Sequence, residues 1–136
     1  MSVYLPTAAV GNGRILATFG ASGEIMGLFW PHLDYANNVH EALPAVYLGE
    51  PRVGEFHWTW EEVFERRQYY LGDTNILVTQ LKLPGAGLEL IFTDFCPSEP
   101  GTGARADALV RRVRIENRSG AQLRGLLMHY FDLRLG

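Results

Sequence analysis

The sequence of 136 residues lacks a second cysteine, a block of Lys and Arg, and a long apolar run. Cys96 therefore has no disulfide partner within the chain, which suits a protein of the reducing cytoplasm. We expect Cys96 to be a small buried residue rather than a nucleophile. A net charge of -3 with scattered arginines lacks the basic patch of nucleic-acid-binding proteins. No stretch approaches the roughly 18 apolar residues of a membrane span. We expect a soluble cytoplasmic protein without a signal peptide, which binds neither nucleic acid nor membrane.

The sequence also lacks the common catalytic motifs. It has no Gly-x-Ser-x-Gly elbow, no phosphate-binding glycine loop before a helix and no His-Glu-x-x-His. His32 and His40 with Asp34 could hold zinc, but the histidines have no compact ligand spacing, and we predict neither a metal nor a cofactor. His129 shares the apolar parity of its segment, which favours a hydrogen-bonded core histidine.

One acidic cluster could be mistaken for a catalytic pair. Glycoside hydrolysis needs two carboxyl groups that flank the scissile bond. Glu61, Glu62 and Glu65 lie close in sequence, but Arg66 and Arg67 follow directly and favour a solvated, mutually neutralising surface. We predict no catalytic residue in this chain.

What the chain does have is short alternating segments separated by turns. Aromatic residues make up 12%, with 15 Gly and 7 Pro. Leu77, Thr79, Leu81 and Leu83 alternate with polar residues, as one face of a half-buried strand does. We predict strands over residues 14–19, 24–30, 43–48, 55–60, 75–83, 88–95, 109–116 and 123–133, and a further strand around residues 69–71. Sequential hairpins of this kind predict an all-β, antiparallel β-sandwich.

Two segments interrupt the strands. Residues 97–106 form a Gly/Pro/Ser-rich loop, and residues 32–42 a polar loop with aromatics. A single helical turn at residues 61–65 is an alternative for the segment 61–70, in which Tyr69-Tyr70-Leu71 favours a strand. The candidate ligand or interface residues lie in or beside the second loop: Trp30, His32, Asp34, Tyr35, Asn37, Asn38 and His40. Flat rings stack on sugar faces and polar side chains bond to hydroxyls, whereas the competing interpretation is that Asn and Asp satisfy their own backbone.

Several runs of residues together resemble a known family. They are Gly11-Asn12-Gly13-Arg14-Ile15-Leu16-Ala17-Thr18-Phe19, Gly23-Glu24-Ile25, Leu28-Phe29-Trp30-Pro31-His32 and Asn37-Asn38-Val39-His40, followed in order by Thr93-Asp94-Phe95, Asn117-Arg118-Ser119-Gly120 and His129-Tyr130-Phe131-Asp132-Leu133. This pattern resembles the N-terminal domain of bacterial and archaeal glycoside hydrolase family 15 proteins, the glucoamylases, glucodextranases and related trehalases.

The resemblance implies a large sandwich of the supersandwich, galactose mutarotase-like type. In the family this domain packs on an (α/α)6 barrel that hydrolyses α-glucosidic bonds with inversion, and both catalytic glutamates belong to the barrel. Residues 1–136 would then form a single, incomplete N-terminal domain without its barrel.

Three functions follow as expectations. The first is a non-catalytic accessory domain that supports or docks on the barrel. The second is a carbohydrate-binding module that uses the loop from Trp30 to His40, and the third is a self-associating structural fragment. An incomplete sandwich would expose an apolar face, such as the one with Leu77, Leu81 and Leu83 or the one with Leu123, Leu127 and Phe131, and we therefore expect a homo-oligomer.

Overall fold

A computed structural model describes residues 5–99 and 101–134 of the chain. Within them lie ten strands and no helix: β1 (Ala8–Gly11), β2 (Leu16–Phe19), β3 (Ile25–Phe29), β4 (Val39–Leu48), β5 (Glu55–Trp58), β6 (Glu65–Tyr70), β7 (Leu77–Leu83), β8 (Leu88–Phe95), β9 (Val110–Asn117) and β10 (Gly125–Leu133). Residues 1–4, Pro100 of the predicted loop 97–106, and the last two residues lie outside the described part.

The strands form three antiparallel sheets. Their orders are β1-β2-β3, β10-β4-β5 and β6-β7-β8-β9. The predicted hairpins β2–β3, β4–β5 and β7–β8 are all present. The all-β prediction is confirmed, and the arrangement is consistent with a β-sandwich.

The four-stranded sheet supplies the common core. Leu77, Thr79, Leu81 and Leu83 of β7 are all buried, as their alternation predicts. At one end, Leu77 packs in a cluster with Val10 and Phe19 of the β1–β3 sheet. At the other end, Leu81, Leu83, Leu90 and Phe92 pack with Val46 of β4. Both three-stranded sheets therefore cover the same face of the β6–β9 sheet.

A cluster of polar side chains links the β6–β9 sheet to the β10-β4-β5 sheet. Arg111 of β9 donates to both carboxylate oxygens of Asp94 on β8, at 2.6 and 2.9 Å. Its Nη1 lies 2.9 Å from Nε2 of His129 on β10, and its guanidinium sits 4.6 Å from the centre of the Phe92 ring. His129 is thus hydrogen-bonded between the sheets, as predicted.

The cluster shifts the ionisation of its members. Burial, and then the charge of Arg111, lower the pKa of His129 to about 4. Burial raises the pKa of Asp94, against the hydrogen bonds from Arg111. Cys96 is buried with a pKa of about 11, raised by burial and then by Asp94, which confirms a small buried residue rather than a reactive thiol.

Several boundaries differ from the prediction. The loop predicted to end at Ala42 ends before Val39, because β4 is ten residues long and pairs along its length with β10. Strand β1 was not predicted, because its two Ala residues and its Gly carry little strand propensity; pairing with β2 holds it in place. Residues 61–64 make turns rather than a helical turn, and β6 starts at Glu65.

The surface predictions also need correction. The face with Leu77, Leu81 and Leu83 is covered, not open. Phe131, by contrast, is 52% exposed, and Ile115 of β9 is 55% exposed. In the described residues no ion pair joins Glu61, Glu62 or Glu65 to Arg66 or Arg67; Arg66 instead donates to the Thr59 and Glu61 carbonyls.

Candidate functional site

The loop from Trp30 to Asn38 leaves the sandwich between β3 and β4. It begins with a cis peptide bond between Trp30 and Pro31. A turn then follows, in which the Tyr35 N–H donates to the His32 carbonyl at 3.2 Å. The segment lies outside both core clusters and presents its side chains to solvent.

Both aromatic rings of the predicted site are accessible. Trp30 is 46% and Tyr35 60% exposed, and Leu33 between them is 61% exposed. The His32 imidazole lies 3.3 Å from the Asp34 carboxylate, and both side chains are exposed. An exposed group of large side chains in a loop is available for contact with a ligand or a partner.

The two asparagines have a different role. The Asn37 Oδ1 accepts hydrogen bonds from the Leu28 and Val39 N–H groups at 2.9 and 3.0 Å, and its Nδ2 donates to the Met26 carbonyl at 3.0 Å. Asn38 Nδ2 donates to the Leu28 carbonyl at 3.1 Å. These amides clamp the end of the loop to β3, as the backbone-satisfying interpretation expects.

His40 lies just inside β4 and not in the loop. Its Nδ1 is 2.7 Å from an Asp132 carboxylate oxygen on β10. The structure therefore brings Trp30, His32, Asp34 and Tyr35 together in one exposed segment, and places Asn37, Asn38 and His40 at its base as anchoring groups.

A cleft of about 410 Å³ lies beside the loop, between it and the β1–β2 hairpin. Its side chains include Arg14, Phe29, Pro31, His32, Leu33 and Asn75. The volume is within the range of small-ligand sites. Of these residues only His32 was predicted as a candidate, although the Gly11-Asn12-Gly13-Arg14 turn was the available signal for the opposite wall.

Arg14 at this cleft is held in place. Its Nε and Nη2 donate to the two Asp107 carboxylate oxygens at 2.5 and 2.9 Å. The hydrogen bonds from Arg14, with a smaller contribution from Trp30, keep the pKa of Asp107 below its usual value. A carboxylate bound in this way stays ionised and acts as an anchor rather than as a proton donor.

Two carboxyl groups outside the loop, those of Asp94 and Glu61, are also engaged. Asp94 is fully buried against Arg111, so no substrate can reach it. Glu61 accepts from the Trp58 N–H and lies 3.1 Å from His57 Nδ1. The described residues contain no group of three or more His, Cys, Asp or Glu placed to hold a metal ion, and no helix among them is long and apolar enough to cross a membrane.

Comparison with known proteins adds one informative relative. The chain is 32% identical over 127 residues to an uncharacterized glycosyl hydrolase of Methanocaldococcus jannaschii. The chain is therefore similar to one part of a protein that is named as a glycosyl hydrolase. The aligned region covers 93% of the chain but only 18% of that relative. No family model matches the chain, and no solved structure matches it.

The short overlap limits what the glycosyl hydrolase relative implies. More than four fifths of its length lies outside the aligned region. The relationship therefore concerns one part of a much larger polypeptide.

Proposed function

We propose that this chain is a non-catalytic N-terminal accessory domain of a glycoside hydrolase family 15, glucoamylase-like protein, and that it docks on the catalytic barrel. The observation that carries the proposal is the extent of the match: nearly all of this chain corresponds to less than a fifth of a glycosyl hydrolase. The motif runs from Gly11 to His40 supply the link to family 15.

The chemistry of the described carboxyl groups supports a non-catalytic role. An inverting glycosidase needs an acid and a base with about 6.5–9.5 Å between them, both in contact with the sugar. Asp94 has the raised pKa of an acid but is sealed by Arg111, and Asp107 has a lowered pKa and is tied to Arg14. Neither can serve as the acid of such a pair.

Purified chain incubated with maltose, isomaltose or trehalose should therefore release no glucose. Catalysis would have to come from the barrel. Glucose release that is lost when Glu61, Glu62 or Glu65 is changed to Gln would contradict the proposal.

A carbohydrate-binding role is the second candidate, and the cleft is the observation that favours it. The cleft places the Phe29 ring and the polar groups of Arg14 and His32 around a volume suited to a sugar. Glucan-dependent quenching of Trp fluorescence, abolished by Trp30→Ala but not by Trp60→Ala, would support this role. Trp60 is similarly exposed and lies outside the loop.

A further inference from the structure

The turn between β1 and β2 holds a loop that lies far along the chain, just before β9. Nδ2 of Asn12 donates to the Pro97 and Ala106 carbonyls, at 2.8 Å each. Its Oδ1 accepts from the N–H groups of Arg14 and Ile15, at 3.0 and 3.2 Å. The amide therefore uses its donor and its acceptor side together, and it fixes both ends of the distant loop to the turn.

The next two residues of the turn contact the same loop. The Arg105 guanidinium lies so close to Gly13 that a side-chain carbon on this glycine would be 2.6 Å from its Nη1. Arg14 donates through Nε and Nη2 to the two carboxylate oxygens of Asp107, at 2.5 and 2.9 Å. Three consecutive residues of the turn thus hold the segment of residues 97–107, which we call the 97–107 loop.

Asp107 also reaches the exposed segment of residues 30–38, the Trp30 loop. The pKa of Asp107 is lowered chiefly by the hydrogen bond from Arg14, and a hydrogen bond from the Trp30 side chain adds a smaller contribution in the same direction. A carboxylate has about four acceptor positions, so the two bonds from Arg14 leave room for an indole N–H. The β1–β2 turn, the 97–107 loop and the Trp30 loop therefore meet at this one carboxylate.

The main chain and the ring of Trp30 are held at different points. The Trp30 carbonyl accepts from Asn38 Nδ2 at 3.4 Å, which restrains the main chain but not the side-chain rotamer. The ring is 46% exposed and belongs to neither core cluster, so packing in the core does not select its rotamer. The contact with Asp107 supplies this selection.

We propose that Asp107 is the positioning residue of the docking surface, and that it holds the Trp30 ring in the orientation in which the ring contacts its partner. A side chain that is ordered before binding loses less conformational entropy when the partner arrives. The consequence for binding rests on the proposed docking of the Trp30 loop. The hold on the ring is a property of the chain alone, and the two can be measured separately.

The hold on the ring can be measured by nuclear magnetic resonance of the indole Nε1–H groups. The chain has three tryptophans, and Trp30→Phe identifies the Trp30 signal by its loss. Asp107→Ala should shift this signal and lower its heteronuclear NOE, which reports motion on the picosecond to nanosecond timescale. Asp107→Asn keeps one acceptor oxygen but loses the charge, and it should cause a smaller change. The signals of the other two tryptophans should stay in place.

Two further variants show whether the effect follows the contacts of the 97–107 loop. Asn12→Asp keeps the shape of the side chain but replaces its two donated hydrogen bonds by repulsion from the same carbonyls. It should shift the Trp30 signal because it loosens the loop that carries Asp107. Asp73→Asn, at an exposed position in the turn after β6, should leave all three indole signals unchanged. A Trp30 signal that does not respond to Asp107→Ala would overturn the proposal.

Calorimetric titration into the catalytic barrel tests the consequence for docking. Asp107→Ala should weaken binding by about two- to tenfold, which is the cost of ordering one side chain on binding. In the Trp30→Ala background the same change should have no further effect, because Asp107 acts through Trp30. No binding by any variant would contradict the proposed function, while the indole signals would still decide whether Asp107 holds the ring. An equal loss with and without Trp30 would show that Asp107 touches the partner itself and would overturn its positioning role.

Discussion

At the residue scale, His129 couples stability to pH. It is neutral in the folded chain, where its Nε2 accepts from Arg111 and its ring stacks on Phe131 at 4.8 Å. A protonated imidazole would lie beside the Arg111 guanidinium in a half-buried site. The folded chain therefore resists protonation until the pH is far below the ordinary histidine pKa.

Acidification should destabilise the chain through His129. The folded pKa is about 4 against 6.5 in the unfolded chain, so the unfolded state binds more protons between these values. The free energy of unfolding should fall as the pH drops from 6.5 toward 4, by about 1–2 kcal/mol once partial exposure is allowed for. Urea unfolding at a series of pH values measures this. The raised pKa of Asp94 works in the opposite sense and flattens the lower end of the curve.

Two variants separate this effect from general acid sensitivity. His129→Gln should lose the slope between pH 6.5 and 4. The pKa of His57 is raised, chiefly by its hydrogen bond to Glu61. His57 therefore adds to the free energy of unfolding below pH 6.5, and this contribution is lost as the pH rises through the pKa of the folded chain. His57→Asn should therefore keep the acid slope, lower the free energy of unfolding by a constant amount below pH 6.5, and change the slope of the curve only above pH 6.5. An unchanged acid slope in His129→Gln would contradict the assignment.

At the scale of elements, the strands with clear alternation were predictable from sequence. β7 and β8 carry regular apolar spacing, and their turn at residues 84–87 has the expected Pro and Gly. The limits of β4 were not predictable, because Val39–Ala42 becomes a strand only through pairing with β10, far along the chain. The cleft was not predictable either, since it depends on how the β1–β2 hairpin meets the loop in space.

The asparagine clamp decides between two interpretations of the loop. Asn37 makes three hydrogen bonds to the backbones of β3 and β4, so Asn37→Ala should lower the free energy of unfolding by about 1–3 kcal/mol. Asp34→Ala, at an exposed position of the same loop, should cost less than about 0.5 kcal/mol. Chemical denaturation of both variants measures the difference. Equal stability of the two variants would contradict the anchoring role of Asn37 and leave its side chain as a candidate ligand-binding group.

At the scale of the whole molecule, the chain presents two distinct surfaces. One is the exposed loop with Trp30 and Tyr35, beside the cleft. The other is the open edge at β10, where five large apolar side chains are partly solvated. We propose that the loop is the surface that docks on the barrel.

The most direct test of the accessory-domain proposal is a titration of this chain into a family 15 glucoamylase-type barrel that lacks its own N-terminal domain, followed by calorimetry. We predict saturable binding that Trp30→Ala weakens at least about tenfold, as expected for an aromatic anchor, while the far-ultraviolet circular dichroism of the variant is unchanged. Trp60→Ala, the matched exposed tryptophan outside the loop, should bind as the unmodified chain does. No binding, or equal binding by both variants, would contradict docking of the loop on the barrel.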